Sequence, residues 1–207
     1  MIELRSELPL HAYVSADPRT PDRTTGVFLL ERSRKGHLVL RGDRSNPDFF
    51  NACASVLGLS LPSSVRETAK SEIAQCYCLG PEEWMLLLDA GEEWGIELRL
   101  RDAFQGHVSI VDVSGGQTLL SLSGDDVPSV LKKSCSYDFS PVNFPSGSCV
   151  QTTFAKATAL VIKQSDTHFD LVIRRSFSDY LYAWIADASA EYGFQASAES
   201  SDCSSAQ

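Results

Sequence analysis

Hydrophobic and polar positions follow two different periods in short blocks along this chain. A period of two is typical of strands, whereas apolar residues spaced three and four apart are typical of helices. The clearest hairpin signal lies at residues 70–88, where the turn GPEE separates an alternating run from WMLLL. The segments with strand character are 27–31, 37–41, 70–79, 84–88, 107–112, 117–123, 149–164 and 168–173.

Four helices are predicted between and after these strands. The best defined has Asn46 as its N-cap, Pro47 at the first helical position and Gly58 as its stop. A short helix opens at Asp125 or Asp126. These local signals indicate that helices regularly interrupt the strand pairs.

The two other helices are recognised by their apolar residues. Residues 92–104 carry Trp94, Leu98 and Phe104 with charges between them. Ser176 caps the last helix, whose apolar positions repeat with helical spacing. We predict that this last stripe is a core or interface anchor; it consists of Phe177, Tyr180, Leu181, Trp184, Ile185 and Ala188.

The order of elements predicts an internal duplication. It reads β-β-α-β-β-α and then β-β-α-β-β-α, which predicts an α+β fold with antiparallel sheets backed by helices. Residues 27–194 are expected to form a single compact domain of two such repeats. The Pro-containing residues 1–26 are predicted to be an extended N-terminal arm, and the small polar residues 195–207 a disordered tail.

Composition and charge narrow the classes of function. The 207 residues carry 18 basic and 27 acidic side chains, a net charge of −9, with 43% hydrophobic and 22% charged residues. This acidic balance argues against DNA or RNA as the main partner. The longest apolar run, Trp84 to Leu88, is far shorter than the ~20 residues of a membrane span. The acidic start MIELRSELPL is unlike a signal peptide, so we expect a cytoplasmic protein.

One local stretch departs from the acidic balance. Residues 31–44 have five basic side chains, which either bind phosphate or an acidic protein, or line the solvated edge of two strands. The second interpretation is favoured because runs of charged residues most often form a solvated surface of the fold. The basic residues are Arg32, Arg34, Lys35, Arg41 and Arg44.

Cysteine and histidine positions give no metal signature. No CxxC pair occurs, and His11, His37, His107 and His168 lie far apart in the sequence. Without a secretory signal, free thiols are favoured over disulfides. The thiols belong to Cys53, Cys76, Cys78, Cys135, Cys149 and Cys203, of which Cys76 and Cys78 share one strand face.

A search for catalytic groupings finds few candidates. GxGxxG, P-loop, HExxH and GxSxG motifs are absent from the sequence. Asp112 is interpreted as a turn aspartate rather than a base, and Asp138 as either a cap or a functional carboxylate. Strand alternation sends Arg174 and Arg175 to opposite faces, so one of them can meet a carboxylate in an interface. We therefore predict no catalytic, cofactor-binding or metal-binding residue.

Four segments resemble the gamma subunit family of heterotetrameric sarcosine oxidase. They are GPEEWMLLL, VDVSGGQTLLSLSGDDVPSVLKKSCSYDFSP, FPSGSCVQTTFAKATALV and FDLVIRRSFSDYLYAWI. The resemblance runs from about residue 80 to 192, and more loosely from about 37. The same stretch is distantly similar to the aminomethyltransferase (T-protein) folate-binding fold, whose DVS turn, strand, LSG step and short helix recur at Asp112 to Lys133.

The resemblance implies a subunit of an oxidase assembly. In that family alpha, beta, gamma and delta subunits convert sarcosine to glycine, hydrogen peroxide and either formaldehyde or 5,10-methylenetetrahydrofolate. FAD, NAD and FMN belong to the alpha and beta subunits and zinc to delta, so no cofactor is expected in this chain. The T-protein's Asn-Asp pair corresponds to Tyr137-Asp138 here, so half of its polar signature is missing.

Three hypotheses of function follow. The leading one is a non-catalytic structural subunit of sarcosine oxidase. The second is a stand-alone folate-binding one-carbon module, and the third is an interaction adaptor that docks through residues 31–44. Binding of reduced folate by the isolated chain separates the second hypothesis from the first.

Overall fold

The computed structural model describes residues 8–14, 25–104 and 106–199. Its helices are α1 (Pro47–Leu57), α2 (Glu93–Ala103), α3 (Val127–Ser134) and α4 (Ser178–Ala188). Its strands are β1 (Val27–Glu31), β2 (Lys35–Gly42), β3 (Thr68–Lys70), β4 (Ala74–Gly80), β5 (Glu83–Asp89), β6 (Val108–Asp112), β7 (Gln117–Ser123), β8 (Cys149–Phe154), β9 (Ala157–Ser165), β10 (His168–Arg174) and β11 (Phe194–Ala198).

The strands form two sheets. The five-stranded sheet has the order β3-β4-β5-β2-β6, and the six-stranded sheet has the order β11-β1-β7-β10-β9-β8. Neighbouring strands pair antiparallel except β1 and β11, which pair parallel. The predicted α+β class with antiparallel sheets is therefore confirmed.

The internal duplication is real, and its two units exchange a strand. The first unit is β1-β2-α1-β3-β4-β5-α2, and the second is β6-β7-α3-β8-β9-β10-α4. The first strand of each unit pairs in the other unit's sheet, because β1 lies beside β7 and β6 beside β2. This exchange makes the two units one compact structure.

Each unit contains one strand more than the sequence pattern predicts. In the first unit, β3 has only three residues, too few to show an alternating pattern. In the second, the predicted strand 149–164 is a hairpin that turns at Ala155, a non-glycine residue with a φ of +53°. A turn without Gly, Pro or Asn lacks the usual sequence signal.

Strand alternation sorts apolar side chains into three layers of core. On β5, Trp84 and Leu86 face α1 and α2, whereas Met85 and Leu87 face the other sheet. On β10, Leu171 faces α3 and α4 on the outer side of the six-stranded sheet. The two sheets thus pack face to face, and a pair of helices covers each outer face. The inter-sheet core is Tyr77, Met85, Leu87, Leu119, Cys149, Leu160, Ile162 and Val172.

Helix α1 has the bounds that its capping residues predict. Asn46 accepts a hydrogen bond from the Asp48 backbone N–H at 3.0 Å, and Pro47 occupies the first turn. Gly58 ends the helix with a φ of +66°, the left-handed conformation that favours glycine. None of the helices in the described ranges is long and apolar enough to cross a membrane.

The last helix anchors the core, but only part of its predicted apolar stripe is fully buried. Leu181 and Ile185 are fully buried, whereas Phe177 is 39% exposed and lies in a 3-10 turn before α4. Trp184 is only half-buried, and its Nε1–H donates to Ser134 Oγ at 3.0 Å. The anchor is therefore the Leu181–Ile185 pair.

The predicted disordered tail is wrong over its first residues. Phe194–Ala198 form β11, which adds to the edge of β1, and Ser197 and Ala198 are buried. A parallel partner strand needs backbone groups rather than a strong apolar pattern, so the small polar composition conceals it. Residues 200–207 lie outside the described ranges.

The predicted extended arm is also corrected where the structure describes it. Residues 8–14 form helical turns, with the N–H groups of Tyr13 and Val14 donating to the Leu10 carbonyl. Leu8, Leu10 and Val14 enter the core between α3, α4 and the six-stranded sheet. Burial of these three apolar side chains favours a compact turn over an extended path. Residues 1–7 and 15–24 lie outside the described ranges.

Candidate binding cleft between the sheets

The two sheets separate at one end and leave a cleft of about 570 Å³. This volume is within the range of roughly 300–1,000 Å³ that is usual for ligand sites. The cleft opens where β2 and β4 end and where β7 begins. It is therefore continuous with the inter-sheet core but open to solvent.

Alternation along the strands places polar side chains on the inner faces at this open end. In the six-stranded sheet, Gln117 lies two residues before Leu119, and Arg174 two residues after Val172. The neighbouring Gln151 lines the same cleft. Polar residues thus occupy positions that continue the inward-facing apolar rows.

The five-stranded sheet contributes an apolar wall and an ion pair. Val39, Leu79 and Met85 line the cleft, with Val111 of β6 at its margin, 48% exposed. Arg41 Nη2 lies 2.9 Å from Glu83 Oε1, so these two charges compensate each other. The cleft combines apolar surface with hydrogen-bonding groups.

Arg174 is the basic side chain of this cleft that lacks an acidic partner in the described ranges. It is exposed, and its guanidinium has no hydrogen bond or ion pair with any residue in the described ranges. Arg174 is the last residue of β10 and lines the cleft, whereas Arg175 begins a 3-10 turn, so the predicted strand alternation does not extend to Arg175.

Asp112 has the structural role that its sequence context favours. Its Oδ1 accepts hydrogen bonds from the Ser114 backbone N–H at 2.8 Å and from Ser114 Oγ at 2.5 Å. Ser114 Oγ in turn accepts the backbone N–H of His37 at 2.8 Å. Asp112 therefore holds the crossing from β6 to β7 together, and the interpretation as a turn aspartate is confirmed.

Asp138 closes a surface turn. Its carboxylate accepts hydrogen bonds from the side chain of Asn143 and, at 2.9 Å, from the backbone N–H of Ser140. The bond from Asn143 is the main cause of the lowered pKa of Asp138. Of the two interpretations that the sequence left open for Asp138, these contacts support the cap.

The basic stretch 31–44 is largely paired within the chain. Arg32 contacts Glu199 at 2.9 Å, Arg34 contacts Glu93 at 3.4 Å and Lys35 contacts Asp89 at 2.8 Å. With Arg41 bound to Glu83, four of its five basic side chains have an acidic partner. The stretch is not an open basic surface, but neither is it the predicted solvated edge, because β1 and β2 both lie inside their sheets. Its paired basic side chains lie at or near the ends of these two strands.

The described cysteines are buried and unbridged. Burial raises the pKa of Cys53 and of Cys149 to about 12, so these thiols are poor nucleophiles at neutral pH. Cys76 and Cys78 face the same helix-covered core, as alternation predicts. Cys203 lies outside the described ranges. In residues 8–14, 25–104 and 106–199, no three His, Cys, Asp or Glu side chains are grouped as metal ligands.

Sequence reasoning missed the polar residues Gln117 and Gln151 of the cleft, and Thr158 of a smaller adjoining pocket that both glutamines also line. A detectable signal exists, since each occupies a strand position in phase with inward-facing apolar residues. That signal indicates a binding site only once it is known that the two sheets separate at this end of the strands.

A model of the sarcosine oxidase gamma subunit family matches residues 41–191. The chain belongs to this family. Sarcosine oxidase subunit gamma from Corynebacterium sp. (strain P-1) is 30% identical to this chain over 185 residues. The alignment covers 84% of this chain and 91% of that relative. The resemblance predicted from the four sequence segments is therefore confirmed.

Two solved structures have the same fold. One is a chain of heterotetrameric sarcosine oxidase from Corynebacterium sp. U-96 in complex with pyrrole 2-carboxylate. It has a TM-score of 0.78 and 24% identity, and the match covers 90% of this chain and 96% of that one. The other is aminomethyltransferase T of the glycine cleavage system from Bartonella henselae, with a TM-score of 0.57 and 12% identity. That match covers 84% of this chain and 48% of the other. The T-protein-like fold is thus confirmed.

Proposed function

We propose that this chain is the gamma subunit of a heterotetrameric sarcosine oxidase and serves there as a non-catalytic structural subunit. The observation that carries the proposal is the family match over residues 41–191, together with the relative that is aligned over 91% of its length. A match over nearly the whole relative supports the role of the complete subunit rather than that of a shared module.

The non-catalytic role is supported by the contacts of the candidate carboxylates. Asp112 is bound to Ser114, and Asp138 to Ser140 and Asn143, in each case within a turn. A general base needs a carboxylate that is free to reach the proton of a substrate. These two carboxylates instead hold backbone turns.

The proposed partners are alpha, beta and delta subunits in the cytoplasm. FAD, FMN, NAD and zinc are assigned to those partners, and the assembly converts sarcosine to glycine and hydrogen peroxide. The one-carbon product is formaldehyde, or 5,10-methylenetetrahydrofolate when folate is present. In this arrangement the gamma chain contributes surface to the assembly rather than a reacting group.

Co-expression with the three partner subunits tests the proposal. The chain should co-elute with a yellow complex that forms peroxide from sarcosine, whereas the purified chain alone should be colourless and form none. A chain that elutes apart from the yellow complex would contradict the subunit role. Flavin retained by the single chain would contradict the cofactor assignment.

The folate hypothesis requires its own measurement. Titration of the isolated chain with tetrahydrofolate, followed by calorimetry, should show no saturable heat. Saturable binding at micromolar concentrations would favour the one-carbon module over the structural subunit. The T-protein-like fold makes this control necessary, because the two functions share an architecture.

A further inference from the structure

We infer that the cleft between the sheets receives a carboxylate-bearing segment of a partner subunit, and that Arg174 is the residue that binds the carboxylate. The inference rests on the proposed function and deepens it, since it specifies where a partner contacts this chain and by what chemistry.

The first step is the charge of Arg174 itself. The chain has nine more acidic than basic side chains, yet none of the acids in the described ranges lies within ion-pair distance of this guanidinium. Its neighbour Arg41 is compensated by Glu83, and Asp112 is committed to Ser114. The lining of the cleft has two basic side chains, Arg41 and Arg174, and two acidic ones, Glu83 and Asp112. Among these four, Arg174 is the one without a hydrogen bond or ion pair in the described ranges, so it is the group left to bind an external anion.

The second step is the set of unpaired donors around that charge. Gln117 lies directly across the ladder from Arg174, and Gln151 lines the same cleft. Thr158 lines a smaller adjoining pocket that Gln151 and Arg174 also line. None of these three side chains has a hydrogen-bond partner in the described ranges. A guanidinium flanked by amide and hydroxyl donors suits a carboxylate, which accepts at both oxygens.

The third step is the apolar wall opposite these donors. Val39, Leu79, Met85 and the exposed Val111 provide surface for an aliphatic or aromatic side chain. Burial of such a side chain against this wall stabilises the contact because it removes apolar surface from water. The occupant is therefore a segment in which an apolar residue stands near an Asp, a Glu or a terminal carboxylate.

The nearby sheet edge is less suitable for this partner. β6 is the outer strand of the five-stranded sheet, but the side chain of Arg101 donates to the Ile110 carbonyl at 2.9 Å. An added strand needs such carbonyls as acceptors. The segment is therefore expected to enter between the sheets rather than to extend one of them.

Substitution of Arg174 in the co-expressed complex tests the assignment. Arg174→Gln should weaken association with the partner subunits on the order of 10- to 100-fold, and Arg174→Glu should weaken it further by repulsion. Arg99→Gln is the matched control, because Arg99 is an exposed arginine of α2 with no contact to the cleft. This control should leave the dissociation constant within twofold of the wild type.

The outcomes separate this inference from the proposed function. If the wild-type chain fails to join the yellow complex, both fall. If the wild type and Arg174→Gln assemble with the same dissociation constant, only the cleft assignment is overturned. Unchanged assembly with binding of free acetate or glutarate at Arg174 would likewise reject a partner segment in favour of a small carboxylate.

A chemical cross-link identifies the partner residue directly. Arg174→Lys keeps the charge and supplies an amine that a carbodiimide couples to a carboxylate in contact with it. Mass spectrometry of the treated complex should find the position 174 peptide joined to an Asp, a Glu or the C-terminus of a partner subunit. Coupling only to acids of this same chain would overturn the inference.

Discussion

The backbone N–H of Leu10 donates a hydrogen bond of 2.9 Å to Glu31 Oε2 in the interior of the protein. The other oxygen of Glu31 accepts the hydroxyl of Thr118 at 3.2 Å, and neither Leu10 nor Glu31 is exposed to solvent. A single carboxylate thus joins the N-terminal turn to β1 and β7. Because a carboxylate is costly to bury, this contact makes the fold sensitive to pH.

Glu31→Gln should remove part of the pH dependence of the free energy of unfolding. Burial raises the pKa of Glu31 above its ordinary value of 4.5, even though the hydrogen bonds from Leu10 and Thr118 oppose the shift. The folded protein therefore binds this proton more tightly than the unfolded chain, and the free energy of unfolding decreases as the pH rises above 4.5. The neutral amide lacks this dependence, so the variant should gain stability relative to the wild type between pH 4.5 and 7.

Urea unfolding at several pH values measures this difference. Glu82→Gln is the matched control, because Glu82 is an exposed glutamate in the turn before β5. Its effect should be within about 0.5 kcal/mol and independent of pH. A stability difference for Glu31→Gln that stays constant from pH 4 to 7 would contradict the assigned titration.

His37 gives the opposite dependence. Its ring is buried, with Nδ1 at 3.1 Å from the Lys35 carbonyl and Nε2 without a partner in the described ranges. Burial lowers the pKa of His37 from 6.5 to about 4, although the Lys35 carbonyl and the charges of Glu93 and Asp112 favour the protonated ring. The unfolded chain therefore takes up the proton first, and stability falls as the pH drops from 6.5 towards 4.

His37→Gln should remove that loss. Over this range the wild type should lose about 3 kcal/mol more unfolding free energy than the variant, as an upper figure for a shift of this size. His107→Gln, at an exposed position, provides the control and should follow the wild-type profile. Parallel profiles for the wild type and His37→Gln would show that this ring does not titrate as assigned.

Local signals in the sequence predict the fold better than they predict the cleft. Helix α1 was predictable because Asn46 and Gly58 act on their own backbone neighbourhood. Strand β11 was not, because its pairing with β1 depends on a segment more than 160 residues away. The cleft depends on how far two sheets separate, which no residue of either sheet encodes alone.

Helix α2 shows the same limit at single residues. Two of the three apolar side chains named from the sequence, Trp94 and Leu98, are 68% and 41% exposed, whereas Ile96 and Leu100 are 0% and 3% exposed. Trp94→Ala should therefore change the free energy of unfolding by no more than about 0.5 kcal/mol. Ile96→Ala should cost about 2–5 kcal/mol, since it leaves a cavity against the five-stranded sheet.

Thermal or urea unfolding of the two variants checks this contrast. The comparison is internal, because both substitutions place alanine in the same helix two residues apart. A large loss for Trp94→Ala with little loss for Ile96→Ala would mean that α2 packs with its opposite face. The test is which of the two variants loses more stability, rather than the size of either loss.

Truncation should show that the C-terminal strand belongs to the fold. Removal of residues 194–207 deletes β11, its ladder with Val27 to Glu31, and the 2.9 Å contact between Arg32 and Glu199. The edge of β1 would then expose unpaired backbone groups, which favours aggregation. Loss of several ladder hydrogen bonds, at about 1 kcal/mol each, should lower the thermal midpoint by roughly 5–10 °C. Removal of residues 200–207 alone keeps β11 and the contact between Arg32 and Glu199, so this shorter truncation is the control for the longer one. Equal behaviour of the two truncated chains would show that β11 adds nothing to stability.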